Sequence, residues 1–393
     1  MLLSKKLNLL LLTMSIFLAG CWDRIDIEER GFVIGTALDL ADQKSNEDYE
    51  VIMTNQFVIP AGLGSITEGS GGQEAFMNIS ETGTSLFRTN RKFSQLNSQV
   101  PFYQHLKVLL ISDEVMKQPN LFSDMMDFYI RDHAMRRSIR LVVAEGEARD
   151  ILNLKPKNVN VPSMYLDDLM ENVDRNTSTI KPVHVGEVQE LILNEQSYVL
   201  PIVKKAGDQA EYGNVVVING ESNQMVGSLD EEETAGLGFV NGHTEGGVLE
   251  IQVDDDLIAI EITEIKQNMN IKNRQKDQLR VGISIDIKGN IAEHFGGRSV
   301  LKEQYVNKIE KSAEKKVKEL VGNTIEEVQG ELNTDVLGIG KTLYKFHYDF
   351  WQKIKNDWEK GENYFSSAVI DVNANVEIDR VGSNDRIKMS EGG

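Results

Sequence analysis

The sequence predicts a multi-domain α+β protein, and three patterns carry that prediction. Stretches with apolar residues at every third or fourth position predict amphipathic helices, and runs that alternate apolar with polar residues predict half-buried strands. In the C-terminal half the two patterns occupy separate blocks, as they do where helices cover one face of a sheet. With 393 residues the chain is long enough for two or three packed domains.

Taken in order, Phe32 to Leu40 and Val51 to Ile59 are apolar and β-branched and read as strands. The stretch PAGLGSITEGSGGQEA from Pro60 lacks G-x-G-x-x-G spacing and reads as a loop, with Leu63 as an exposed apolar residue available for contacts. Next come a helix over Thr84 to Leu96, a strand over Lys107 to Ile111, a helix over Asp113 to Ile130 and a strand over Ile139 to Ala144. Glu147 to Leu152, Met164 to Glu171 and Val185 to Leu193 read as further helices. Pro201 and the polar KKAGDQAEYGN from Lys204 predict a domain boundary over 195–213.

Beyond it, Val215 to Ile218 and Met225 to Leu229 read as paired strands, and a helix opens at Asp230. Val248 to Val253 and Leu257 to Ile265 are strands joined by a turn at Asp254-Asp255-Asp256. Val281, Ile283, Ile285 and Ile287 alternate with polar residues, as do Ala368, Ile370, Val372, Ala374, Val376 and Ile378. Between these runs lies a long stripe, Val306, Ile309, Ala313, Val317, Leu320, Val321, Ile325, Val328 and Leu332. A second stripe follows at Leu343, Phe346, Phe350, Ile354 and Trp358. The expected architecture is a mixed helix and strand N-terminal part, then a C-terminal antiparallel sheet packed by two long amphipathic helices. The expected divisions are 1–20, a signal; 21–200, an N-terminal α+β domain; 213–382, a C-terminal domain that subdivides near 268; and 383–393, a tail.

Lys5 and Lys6, the apolar run Leu7 to Phe17 and the small residues before Cys21 form a secretory signal too short to span a bilayer permanently. Leu18-Ala19-Gly20-Cys21 is also a bacterial lipobox. Cleavage would leave Cys21 as the amino terminus, with a diacylglycerol on its thiol and an acyl chain such as palmitate on its nitrogen. Cys21 is the one cysteine in the chain, so no disulfide competes for it. The net charge is −19, and −21 once Lys5 and Lys6 leave with the signal, which disfavours binding to nucleic acid or adsorption to anionic lipid. Asp230 to Glu233 reads as a helix start, and Asp254 to Asp256 lacks calcium-loop spacing.

No catalytic, metal-binding or cofactor-binding set is legible. The chain has no H-E-x-x-H and no G-x-S-x-G, and Ser312-Ala313-Glu314-Lys315 lacks the partner motifs of penicillin-binding enzymes. The six histidines are scattered singly. LGIGKT, Leu337 to Thr342, ends like a phosphate-binding loop, but Asp335 stands where the first glycine should be and the context is helix to helix. The glycines read instead as a helix junction.

GCWDRIDIEERGFVIGTALD, Gly20 to Asp39, resembles the opening of the C subunits of bacterial spore germinant receptors, the Ger(x)C lipoproteins. RDHAMRRSIRLVVAEGEARDIL, Arg131 to Leu152, is similar to the family's central block, and MVGSLDEEE, Met225 to Glu233, to its Glu-rich segment. Asp335 to Gly340 resembles its Asp-x-Leu-Gly-x-Gly signature, with Trp351 and Trp358 where paired tryptophans lie. His133 and Tyr348 stand where members often have proline, which puts the local helix starts in question. The resemblance implies a three-domain α+β, non-enzymatic lipoprotein subunit. Its implied partners are two polytopic membrane subunits, A and B, and its implied place is the outer leaflet of the spore inner membrane. The alternative on the residues alone is a solute-binding lipoprotein that serves a transporter. That protein would show two doubly wound lobes around a cleft.

Overall fold

The computed structural model describes residues 29–41, 49–63, 74–244, 246–275, 278–296 and 298–380. The signal, Leu18 to Cys21, the tail 383–393 and most of the glycine-rich loop lie outside them. The N-terminal elements are β1 (Arg30–Leu40), β2 (Val51–Val58), β3 (Phe76–Gly83), α1 (Leu86–Leu96), β4 (Val100–Phe102), β5 (Val108–Ser112), α2 (Asp113–Met116), α3 (Leu121–Arg131), β6 (Arg140–Ala144), α4 (Ala148–Leu152) and α5 (Pro162–Leu169). They continue with β7 (Val183–His184), α6 (Val185–Leu193), β8 (Tyr198–Ala206), β9 (Gln209–Asn219), β10 (Gln224–Leu229) and α7 (Glu231–Asn241). The remainder is β11 (Gly247–Val253), β12 (Asp256–Asn273), β13 (Arg280–Phe295), α8 (Glu303–Glu326), α9 (Ile339–Phe346), α10 (Tyr348–Ile354), α11 (Tyr364–Ser367) and β14 (Val369–Arg380).

Strands β1 to β10 form one sheet in the order β10-β9-β8-β6-β5-β1-β2-β3, with β4 beside β1 and β7 beside β6. Its centre, β1, β5, β6 and β8, is parallel. Both faces are covered, so β5 reads as the continuous apolar run expected of a buried parallel strand. Leu109 and Ile111 join one core, while Val108 and Leu110 join another with Ile151 and Leu152 of α4 and Leu166 of α5. The second sheet runs β11-β12-β13-β14. Helix α8 packs against its outer strands β11 and β14 and against α7. It buries Ile309, Ala313, Val317, Leu320 and Val321, as the long stripe predicts.

Several expectations are corrected. The predicted antiparallel C-terminal sheet is mixed, because β14 pairs parallel to β13 from Arg280↔Val369 onward. Parallel neighbours need a long crossover, which α8 to α11 provide, and a period-two pattern is the same for either direction. The second long helix is broken: His347, at φ −140° and ψ 46°, ends α9 and starts α10. The helix predicted over Asp113 to Ile130 is two helices, split at Pro119 and Asn120, the latter at φ 58°. The polar stretch at 204–213 turns a hairpin between β8 and β9. Pro201 is tolerated in β8 because it lies outside the residues that pair with β6 and beside a bulge.

Candidate functional site

The family-like motifs turn out to be junctions between elements. The most developed lies at Asp335. Its Oδ1 accepts the N–H groups of Gly338 (3.0 Å) and Ile339 (3.2 Å), and its Oδ2 accepts those of Gly340 (2.6 Å) and Trp358 Nε1 (3.0 Å). One carboxylate thus satisfies the first N–H groups of α9, which have no partner within the helix, and the indole as well. Gly338 has φ +84°, a left-handed conformation natural to glycine. At Gly340 a Cβ would lie 2.9 Å from Trp358 Nε1 and 3.1 Å from both Asp335 Oδ2 and the Trp351 ring, so the spacing of the signature follows from contact. Trp351 stands edge-on to Trp358 at 5.6 Å, and Trp358 packs on Phe365 at 5.8 Å. Burial pushes the Asp335 carboxyl upward, and the four donors pull it only part of the way back.

Glu359, beside Trp358, extends the junction to the large sheet. Its Oε1 accepts the Asp335 N–H at 2.6 Å, and its Oε2 accepts the Ser197 hydroxyl at 2.7 Å. Ser197 Oγ in turn accepts the Gly220 N–H at 3.0 Å, and Lys360 pairs with Glu221. Burial, with the nearby Asp335 charge, pushes Glu359 up to about 7. Asp335 was flagged by its signature. Neither Glu359 nor Ser197 was, although Glu359 adjoins the paired tryptophans.

The other motifs behave alike. Asp39 of β1 accepts the Ala148 (2.5 Å) and Arg149 (3.1 Å) N–H groups and so caps α4 from across the chain; burial pushes it up to about 6. Asp230 and Glu233 form a reciprocal capping box at the start of α7, the role read for that acidic run. Asp256 is more than a turn residue. It accepts Tyr305 O–H of α8 at 2.6 Å, faces His294 Nε2 at 3.2 Å and lies 3.3 Å from Arg298 Nη1. Desolvation pushes its carboxyl up, but these three donors outweigh it and hold it down at about 2.

Tyr348 is the first residue of α10, a position that suits proline, and His133 is exposed just after α3 ends at Arg131. Ser312 and Lys315 lie on α8 within a charged face. A groove of about 750 Å³ opens between α1 and α3, with both charge signs on its rim: Arg131 pairs there with Asp127, and Asp132 accepts the Ala134 N–H. Among the described residues no group of three His, Cys, Asp or Glu side chains could hold a metal ion, and no helix is long and apolar enough to cross a membrane.

Comparison with known proteins gives these junctions a family. The model for the spore germination protein N-terminal domain matches residues 23–205, and that for the spore germination B3/GerAC-like C-terminal domain matches residues 214–382. The chain belongs to the Ger(x)C family of spore germination proteins. Among Bacillus subtilis (strain 168) relatives, spore germination protein YndF is 29% identical over 387 residues, covering 94% of each chain. Spore germination protein A3 is 29% identical over 375 residues, covering 94% of this chain and 96% of its own. Spore germination protein B3 is 28% identical over 352 residues, covering 88% and 91%. The crystal structure of the GerBC protein superposes with a TM-score of 0.60 at 22% identity, covering 90% of this chain and all of that one, and shares the fold.

Proposed function

We propose that this chain is the lipid-anchored C subunit of a spore germinant receptor and works without catalysis of its own. Its partners are two polytopic subunits, A and B. Cys21 carries the acyl chains and holds the protein on the outer leaflet of the spore inner membrane. The observation that carries the reading is the pair of family models spanning 23–205 and 214–382, directly behind a lipobox at Leu18 to Cys21. The motifs at Asp39, Asp230 and Asp335 support a non-catalytic role, since each spends its carboxylate on backbone N–H groups. The solute-binding alternative called for two doubly wound lobes, whereas one sheet here runs from residue 30 to residue 229. Within the proposal the mature chain keeps two family segments, 21–200 and 213–382, joined through the β8–β9 hairpin. Spores carrying Cys21→Ala test the anchor: slowed germination with loss of the protein from the membrane fraction is expected. Normal germination at wild-type membrane level would refute it.

A further inference from the structure

The break at His347 leaves three aromatic side chains in solvent: Tyr344 is 53% exposed, Phe346 65% and Tyr348 54%. Two of the three touch, and the third lies beside a lysine. Tyr344 and Tyr348 meet edge-on at 5.7 Å, and Lys345 Nζ lies 5.0 Å from the Phe346 ring. Lys341, Lys345, Lys353 and Lys355 are exposed on the same two helices and the turn after them, against two carboxylates, Asp349 and Asp357, over residues 339–357. Arg274, from the end of β12, adds a further cation and reaches His347 Nδ1 at 3.3 Å. A protein of net charge −19 thus carries a local surface that is aromatic and basic. At physiological salt the Debye length is about 8 Å, so the acids elsewhere on the molecule are screened from it.

The sheet register places this surface. Leu38, Ile111, Val143 and Ile202 lie in one row across β1, β5, β6 and β8, and Arg30 and Ser197 both precede that row. The first described strand therefore starts at the same end of the sheet where Ser197 holds Glu359, about 17 Å away across three strand spacings and a three-residue offset. From that end Gly340 packs against Trp358, and α9 runs on to Tyr344. Cys21 precedes Arg30 by nine residues, which reach about 30 Å at most.

We infer that the Tyr344–Phe346–Tyr348 surface with its lysines rests on the anionic headgroup layer of the membrane and orients the subunit there. This rests on the proposed anchor for its geometry. Chemically it stands on the pairing of amphipathic rings with lysines, which bury their stems and keep their charges among headgroups. The net charge argues against adsorption of the whole surface; this face is the local exception.

The test uses the chain from residue 22 onward, without its lipid, which retains every described element. It should cosediment with phosphatidylglycerol vesicles and not with phosphatidylcholine vesicles, and salt should release it. Lys345→Gln and Lys353→Gln should each weaken binding roughly fivefold. Tyr344→Ser with Phe346→Ser and Tyr348→Ser should abolish it, while an unchanged melting curve shows that the variant is folded. Two results would overturn the inference: equal binding by wild type and the triple aromatic variant, or no wild-type binding unless a polytopic protein is present in the vesicle. Because the tested chain carries no lipid, such a failure leaves anchoring by Cys21 standing. Loss of that anchor is read separately, from the membrane fraction of Cys21→Ala spores.

Discussion

Replacing Asp335 with alanine strips an acceptor from four N–H donors at once. Those of Ile339, Gly340 and Trp358 Nε1 are buried, and each buried donor left without a partner costs about 1–3 kcal/mol. Water entering the vacated space recovers part of this, and removing the Asp335 charge relieves Glu359. The net loss is about 3–6 kcal/mol, a large share of the 5–15 kcal/mol that typically stabilises a folded protein. At about 2–4 °C per kcal/mol for a unit of this size, Tm should fall by about 6–24 °C. Circular dichroism reports the unfolding, and tryptophan emission reports whether Trp358 has become wet below the transition. Asp335→Asn should lose less, because one oxygen remains. A Tm for Asp335→Ala within about 2 °C of wild type, with unchanged emission, would refute the idea that this carboxylate organises the junction.

Three further outcomes follow from the same geometry. Glu359 has a native pKa of about 7 against an ordinary 4.5, so the native state binds more protons in that window and its stability falls as pH rises through it. Glu359→Gln, which keeps an acceptor for the Asp335 N–H, should therefore unfold at higher urea than wild type at pH 8 and lose that advantage at pH 5. Gly340→Ala should cost about 1–3 kcal/mol by pushing apart Asp335, Trp351 and Trp358, visible as a lower urea midpoint together with shifted tryptophan emission. Asp39→Ala should cost about 1–3 kcal/mol by uncapping α4, with hydrogen exchange rising at Ala148 and Arg149 before it rises in the strands.

Much of the fold was legible where one period persists. Within the stripe, Ile309, Ala313, Val317, Leu320 and Val321 became the buried face of α8, since one helix keeps its phase from Glu303 to Glu326, while Val328 falls on the π-helical turn Glu327–Glu331 that follows. The stripe from Leu343 to Trp358 has the same spacing, yet Phe346 is in solvent as the last residue of α9, and the helix that should continue the stripe starts afresh after His347. Strand direction was not legible: β14 alternates as an antiparallel strand would, and its parallel pairing depends on a crossover that no local pattern encodes. The Asp335 junction was half legible. Its glycines and aspartate are neighbours in sequence, whereas Ser197, which closes the network, is 162 positions from Glu359.

The central claim is that this chain works as a receptor subunit held beside two polytopic proteins. Affinity purification of the tagged protein from detergent-solubilised spore membranes tests it most directly. The account predicts that two multispanning proteins copurify with it. Recovery of the protein alone, from membranes where those partners are present and intact, would contradict it.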